Sequence, residues 1–191
     1  MPSRIAQIRR VPAASADKPF LSDVAALRKR ARRAIDEGAV TPGYQADRVA
    51  VCRVLNEALA TEIVCVLRYK RHSFMAQGLA SDPVKAEFLE HANAEQAHAD
   101  RIAERIVQLG GEPDLDPAVL AGRSHSEYVE GKDLVSMIRE DLVAERVAIE
   151  SYREIVAWLA AADPTTRRMM EELLADEEEH ADDLSSLLRG L

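Results

Sequence analysis

Four long stretches of the 191-residue chain carry apolar residues at steps of three and four, the spacing that places them on one face of a helix. The stretches run from about 47 to 77, 81 to 110, 133 to 162 and 163 to 189. Turns near Gly78 and Asp163 join them in pairs, and a polar connection of about twenty residues joins the pairs. This arrangement predicts an all-α four-helix bundle, in which a long crossover connects two antiparallel hairpins.

The composition is that of a helical globular protein. Gly and Pro number only 8 each, while the helix formers Ala, Leu, Glu and Arg are abundant. No apolar run reaches the roughly 18 residues of a membrane span. The net charge of −8 disfavours nucleic-acid binding by the body of the protein. Cys52 and Cys65 are too few for a disulfide framework, so we expect a cytoplasmic location.

The first part of the chain has the opposite charge. Residues 1–40 hold nine Arg and Lys against four Asp and Glu. We predict a basic N-terminal extension over 1–44, with a short helix from Ser22 or Asp23 to Glu37, and the bundle over 45–191. The basic run Arg28–Arg33 is interpreted as a solvated face or a strap between subunits. The alternatives are a contact with DNA or another anion, and an Arg-rich transit peptide.

Each of the four long patterns has a glutamate on its apolar face, and two of these glutamates are followed three residues later by a histidine. The residues are Glu62, Glu95, His98, Glu145, Glu177 and His180. Buried carboxylates without partners are penalised by several kcal/mol, and four of them together would also repel one another. Two divalent cations would neutralise the four charges, and Glu with His suits iron, manganese or zinc.

The spacing puts the four glutamates at one level of the bundle. Glu62 and Glu95 are 33 residues apart with the first turn midway between them, and Glu145 and Glu177 are 32 apart around the second turn. In each hairpin a lone Glu therefore faces a Glu-x-x-His motif. Residues i and i+3 share a helix face and can hold the same ion. The sequence predicts a dinuclear metal site within one subunit.

The segments 55–62, 98–106 and 176–180 resemble the metal-binding helices of bacterioferritins, which are ferritin-like di-iron carboxylate proteins. The similarity extends over about 47–189. It implies two iron ions per subunit, with Glu95 and Glu177 as bridges and Glu62 and Glu145 as terminal ligands. The histidine ligands would be His98 and His180. The four glutamates and Tyr69 would carry the catalysis.

The resemblance implies a ferroxidase that oxidises Fe(II) to Fe(III) with O₂ or H₂O₂, in a homo-oligomer that serves iron storage and protection from oxidative stress. Haem is not expected, because Gln96 stands where haem-binding bacterioferritins have Met. The family's short fifth helix has no counterpart after His180, so the assembly size stays open. One alternative is a peroxide-removing enzyme like rubrerythrin or manganese catalase. Another is a DNA- or partner-binding mini-ferritin assembly, acting through the basic helix.

Several residues next to the predicted ligands have open roles. Tyr69 and Tyr152 each lie two helical turns after a lone Glu, and each is either a packed tyrosine or a redox or orienting group. We expect Asp141 and Asp176 to orient ligand histidines. His91, one turn before Glu95, is interpreted as a partly exposed residue, with a transient iron position as the alternative.

Overall fold

A computed structural model describes residues 23–78 and 81–191 and confirms the predicted helical bundle; within these ranges there is no β-strand. Within the described residues, four long helices form the bundle and two short α-helices accompany it. The helices are α1 (Val24–Ala31), α2 (Arg48–Met75), α3 (Ser81–Gln108), α4 (Leu120–Arg123), α5 (Leu134–Leu159) and α6 (Pro164–Gly190). None of the described helices combines the length and apolar character needed to cross a membrane.

The N-terminal helix is shorter than predicted. Asp23 caps it by accepting a hydrogen bond from the backbone N–H of Ala25, but α1 ends at Ala31 instead of Glu37. Ala34 adopts a left-handed backbone conformation with φ of 50°, which interrupts the helix before a single 3₁₀ turn at Ile35–Glu37. No residue of α1 is buried, so no packing opposes that break. The predicted cap Ser22 lies outside the described residues.

Aspartates begin three of the four long helices. Asp47 accepts hydrogen bonds from two backbone N–H groups of α2, and Asp133 forms a reciprocal capping box with Ser136 at the start of α5. Asp163 caps α6, whose first residue is Pro164. These caps fix where each helix starts and therefore the level that each side chain reaches in the bundle.

The long crossover runs beside α2. Asn56 contacts its beginning through the backbone N–H of Asp114, 2.7 Å from the amide oxygen, and Thr61 accepts a hydrogen bond from the backbone of His125 at 2.9 Å. Further along α2, Arg71 donates to the carbonyl of Glu130 at 2.6 Å. The crossover thus spans the bundle from one end toward the other, so α2 and α5 can run antiparallel as neighbours.

The apolar core consists of two clusters, one on each side of the predicted carboxylate level. One cluster includes Leu55, Ile102 and Met170, and the other includes Phe88 and Leu184. All five side chains are no more than 1% exposed. The glutamates of the Glu-x-x-His pattern lie between the clusters, so a polar layer divides the core at mid-height. The boundary predicted after residue 44 stays a prediction.

Candidate metal centre

Four glutamates, one from each long helix, meet in the polar layer. Glu62 of α2, Glu95 of α3 and Glu145 of α5 are each 1% exposed, and Glu177 of α6 is fully buried. Each sits at a position that the helical repeat turns toward the bundle axis, so the fold itself brings them together. This is the level that the hairpin spacing predicted.

His98 directs its Nδ1 atom into the same space. This atom lies 3.6 Å from Glu62 Oε2, 3.6 Å from Glu95 Oε2 and 3.2 Å from Glu177 Oε1. Its other ring nitrogen, Nε2, lies 3.1 Å from Asp176 Oδ2. Asp176 therefore contacts His98 as expected, and it holds the ring with Nδ1 turned toward the three glutamates.

His180 occupies the corresponding position in the second hairpin. Its Nδ1 lies 3.5 Å from Glu95 Oε1, 3.5 Å from Glu177 Oε2 and 4.0 Å from Glu145 Oε2. The two histidines therefore face different lone glutamates and the same two Glu-x-x-His glutamates. The residues form two four-membered groups, in each of which the candidate ligand atoms lie within 4.8 Å of one another. Glu95 and Glu177 belong to both groups.

Several polar atoms in this layer are buried without a hydrogen-bond partner in the described residues. They are Glu95 Oε1, both carboxylate oxygens of Glu177, and the Nδ1 atoms of His98 and His180. Buried polar atoms are nearly always satisfied in native proteins. The contacts of 3.2–3.6 Å around His98 are also poorly aligned for hydrogen bonds. Oxygen and nitrogen atoms that converge on common points, without well-aligned hydrogen bonds between them, suit cations better than hydrogen bonding.

The electrostatics without a cation are correspondingly unfavourable. Burial, with repulsion from Glu95, raises the pKa of Glu62 to about 8. Burial and Glu177 together raise the pKa of Glu145 well above its usual range. Burial lowers the pKa of His180, but the surrounding glutamates have the larger effect and raise it to about 11. Protons therefore take the place of cations when the centre holds no metal.

Two tyrosines fix the lone glutamates from the opposite hairpin. The Tyr69 hydroxyl, on α2, donates to Glu145 on α5, and the Tyr152 hydroxyl, on α5, donates to Glu62 on α2. Both rings are fully buried. In the sequence, each tyrosine lies two turns from the lone glutamate of its own helix. In the structure, each hydroxyl instead bonds to the lone glutamate of the other hairpin.

Two expectations about neighbouring residues were wrong. Asp141 orients no ligand histidine, because its carboxylate accepts from Arg68 Nε at 3.0 Å and pairs with His72 Nδ1 at 2.8 Å. His91 is only 2% exposed, and its ring stacks on that of His180 with the centroids 4.2 Å apart.

Sequence reasoning missed Arg68 and His72 as members of a buried network. Both are at most 2% exposed, although arginine is rarely found fully buried unless it is paired. Their spacing of four residues, one turn apart on the buried side of α2, was the available signal. Asp141 on the facing helix α5 is the acid that pairs with them.

Comparison with known proteins decides the family. The model of the ferritin-like domain matches residues 52–191. The chain belongs to the ferritin-like family. This ferritin-like chain is 31% identical over 143 residues to a bacterioferritin of Mycobacterium avium, and the match covers 72% of this chain and 83% of that protein. It is 30% identical over 134 residues to a nutrient stress-induced DNA-binding protein of Synechococcus sp., covering 69% of this chain and 76% of the relative.

Solved structures give the same family. The bacterioferritin-related protein of Bacteroides fragilis, described as a dodecameric thioferritin, matches with a TM-score of 0.74 and 34% sequence identity. That match covers 76% of this chain and 88% of the other. The bacterioferritin of Rhodobacter capsulatus, described as having a metal-free dinuclear site and haem iron, matches with a TM-score of 0.65 and 28% identity, covering 76% of this ferritin-like chain and 86% of that one.

Proposed function

We propose that this ferritin-like protein is a ferroxidase, which oxidises Fe(II) to Fe(III) with O₂ or H₂O₂ for iron storage and protection from oxidative stress. The observation that carries the proposal is the pair of four-ligand groups that share Glu95 and Glu177. In this proposal these two glutamates bridge two Fe²⁺ ions, and each ion is completed by one lone Glu and one His. The ligands are Glu62, Glu95, His98, Glu145, Glu177 and His180.

The chemistry follows from the charges of that set. Four carboxylates balance two divalent ions, and the fixed cluster holds both Fe²⁺ ions close enough to give up one electron each to the same oxidant. O₂ takes the two electrons with two protons to become H₂O₂, or H₂O₂ takes them with two protons to become two water molecules. Tyr69 and Tyr152 keep Glu145 and Glu62 in place, and their hydroxyls are near enough to move protons during loading.

The donor set argues against a bound haem as an additional group. Gln96 has no thioether, and its amide nitrogen donates instead to Asp100 Oδ1 at 2.9 Å along the outer side of α3. Manganese or zinc would also fit oxygen and imidazole ligands, so the metal must be measured. We expect two iron ions per subunit, bound as substrate and passed on after oxidation.

The test compares Glu95→Ala with Glu90→Ala, an exposed glutamate of the same helix. Because Glu95 serves both metal positions, its removal should abolish fast Fe²⁺ oxidation followed by near-ultraviolet absorbance, and Glu90→Ala should keep the normal rate. An unchanged rate in Glu95→Ala would contradict the site. Supplying H₂O₂ separates the alternatives: iron oxidation in proportion to the peroxide indicates a ferroxidase, and catalytic O₂ release indicates a catalase-like enzyme.

We also propose that the protein works as a homo-oligomer. Large apolar side chains of α2 are exposed on the single chain, including Phe74 at 84% and Leu67 at 54%. A solved relative is described as dodecameric. Native mass spectrometry, combined with elemental analysis of the same sample, would give the assembly size and the metal content per subunit.

A second candidate function is DNA binding through α1. Its basic residues Arg28, Lys29 and Arg30 are all exposed, and no residue of the helix packs on the bundle core. One relative is a DNA-binding protein by name. A gel shift that weakens with salt and disappears when residues 1–40 are removed would support this function, because phosphate contacts are salt-dependent.

A further inference from the structure

A third group of candidate ligands lies outside the two groups that share Glu95 and Glu177. Glu87 and His91 of α3 and Asp183 of α6 place their ligand atoms within 4.8 Å of one another. Glu87 and Asp183 are accessible to solvent, whereas His91 is 2% exposed. The group thus has a buried nitrogen at its inner side and two carboxylates at the surface.

The hydrogen bonds fix which nitrogen of His91 carries the proton. The single hydroxyl proton of Tyr69 is donated to Glu145, so the Tyr69 oxygen accepts a hydrogen bond from His91 Nδ1 at 3.2 Å. In the neutral ring, Nε2 therefore has a free lone pair. That lone pair points to the carboxylates, 3.4 Å from Glu87 Oε1, and has no donor among the described residues.

The two carboxylates also form no ion pair with a lysine or arginine. In the part of the chain that the structure describes, neither Glu87 nor Asp183 has a Lys or Arg within ion-pair distance. Burial and the nearby Asp183 and Glu90 raise the pKa of Glu87 more than His180 lowers it. Two carboxylates and an imidazole lone pair that face one another repel, and a divalent cation between them would remove this repulsion.

The third group connects the surface to the inner centre, by which we mean the two groups that share Glu95 and Glu177. A groove of about 430 Å³ between the start of α3 and the end of α6 has Glu87 and Asp183 in its wall. Behind them, His91 stacks on His180, and His91, Glu145 and His180 form a further compact group of ligand atoms. The outer group shares His91 with this further group, which in turn shares Glu145 and His180 with the inner centre. Candidate ligands therefore form a continuous path from the groove to the inner centre.

We propose that Glu87, His91 and Asp183 form a separate divalent-cation site, at which an ion entering from the groove binds before it passes His180 into the inner centre. The donors are two oxygens and one nitrogen, which suit Fe²⁺, Mn²⁺, Co²⁺ or Zn²⁺. Cation binding at this site does not depend on the proposed dinuclear centre. Its role in loading that centre rests on the proposed function.

The first test is crystallographic and uses Co²⁺, which avoids iron oxidation. Crystals of the full chain soaked in Co²⁺ should show anomalous density between Glu87, His91 and Asp183 in addition to the inner peaks. Asp183→Asn should lose the outer peak and keep the inner ones, while the matched variant Asp182→Asn should keep all of them. Filled inner positions with no outer peak in the unchanged protein would overturn the third site. An outer peak with an empty inner centre would instead overturn the proposed function.

The second test measures loading in solution. Visible absorption of protein-bound Co²⁺ after rapid mixing should rise at least about tenfold more slowly in Asp183→Asn, because a negatively charged entry raises the local cation concentration. The number of ions finally held by the inner centre should not change. Equal loading rates in Asp183→Asn and Asp182→Asn would overturn the entry role.

Discussion

At the scale of single residues, hydrogen bonds between the two hairpins hold the candidate metal centre in place. Each lone glutamate is held by a tyrosine of the other hairpin: Glu62 by Tyr152 and Glu145 by Tyr69. A hydroxyl donor inside the core favours the ionised carboxylate and fixes its direction. The positions of the predicted terminal ligands therefore depend on these two hydroxyls.

Tyr152→Phe should therefore weaken one metal position more than the other. The substitution leaves a Glu62 oxygen buried without its donor, at a cost of about 1–3 kcal/mol. Competition with a coloured chelator should show two unequal Zn²⁺ affinities where the unchanged protein binds both ions tightly. Tyr128→Phe removes a hydroxyl from a ring that is 45% exposed and serves as the control. Equal affinities in both variants would contradict a positioning role for Tyr152.

The sequence predicted which residues face the core but not which partners they meet. Periodicity along one helix identified Glu62 as inward-facing, and this residue is buried. It carried no information on the rotation of the facing helix, so Asp141 was assigned to a ligand histidine although Arg68 and His72 surround it. His91 was expected to be partly exposed because nothing in its own helix showed that His180 would cover it.

At the scale of elements, a buried ionic network ties the crossover to the bundle. Arg68, besides pairing with Asp141, donates to the carbonyl of Glu127 at 2.8 Å. His72 Nε2 lies 3.0 Å from the carbonyl of Glu130. Arg68 and His72 of α2 thus hold one end of the crossover, and the Asp141 carboxylate of α5 pairs with both of them. The structure joins three elements at this point, next to the candidate metal centre.

Asp141→Asn should loosen this junction. The substitution leaves the Arg68 guanidinium buried without its counter-charge, and breaking a buried pair in this way costs about 3–5 kcal/mol. Urea unfolding should show the loss, and amide hydrogen exchange should increase most in residues 124–130. Glu130→Gln removes the exposed partner of Arg71 and should cost less than about 1 kcal/mol. A loss of similar size in both variants would count against the network.

Element boundaries show where local sequence signals are sufficient. The long helices were predicted to start near residues 47, 81, 133 and 163, and they start at 48, 81, 134 and 164. The short helix α1 was predicted too long, because its basic run has strong helix propensity but no buried face to extend it beyond Ala31.

At the scale of the whole molecule, we expect the buried glutamates and histidines of the candidate centre to make stability depend on pH and on added metal. Without metal, the folded protein holds protons that the unfolded chain releases. The pKa of Glu62 rises from 4.5 to about 8 on folding, and that of His180 from 6.5 to about 11. Both pKa values are raised, so the associated stability is present at low pH and is lost as the pH increases toward the folded values.

The metal-free protein should therefore become less stable between pH 7 and pH 9. Each such proton contributes about 1.4 kcal/mol per pH unit while only the folded state holds it. Denaturant midpoints measured with a chelator should fall over this range. With saturating Zn²⁺ the trend should disappear or reverse, since binding needs deprotonated ligands and strengthens with pH. Metal-free stability that increases from pH 7 to pH 9 would contradict the charge state derived for the centre.

The cross-hairpin tyrosine bonds also bear on the order in which the chain assembles. Tyr69 and Glu145 are 76 residues apart, and Tyr152 and Glu62 are 90 apart, whereas each hairpin can close outward from its own turn. Closing a longer loop costs more conformational entropy, so we expect the hairpins to form first and to dock afterwards. The six candidate ligands converge only after docking, and metal capture would therefore mark the completion of folding.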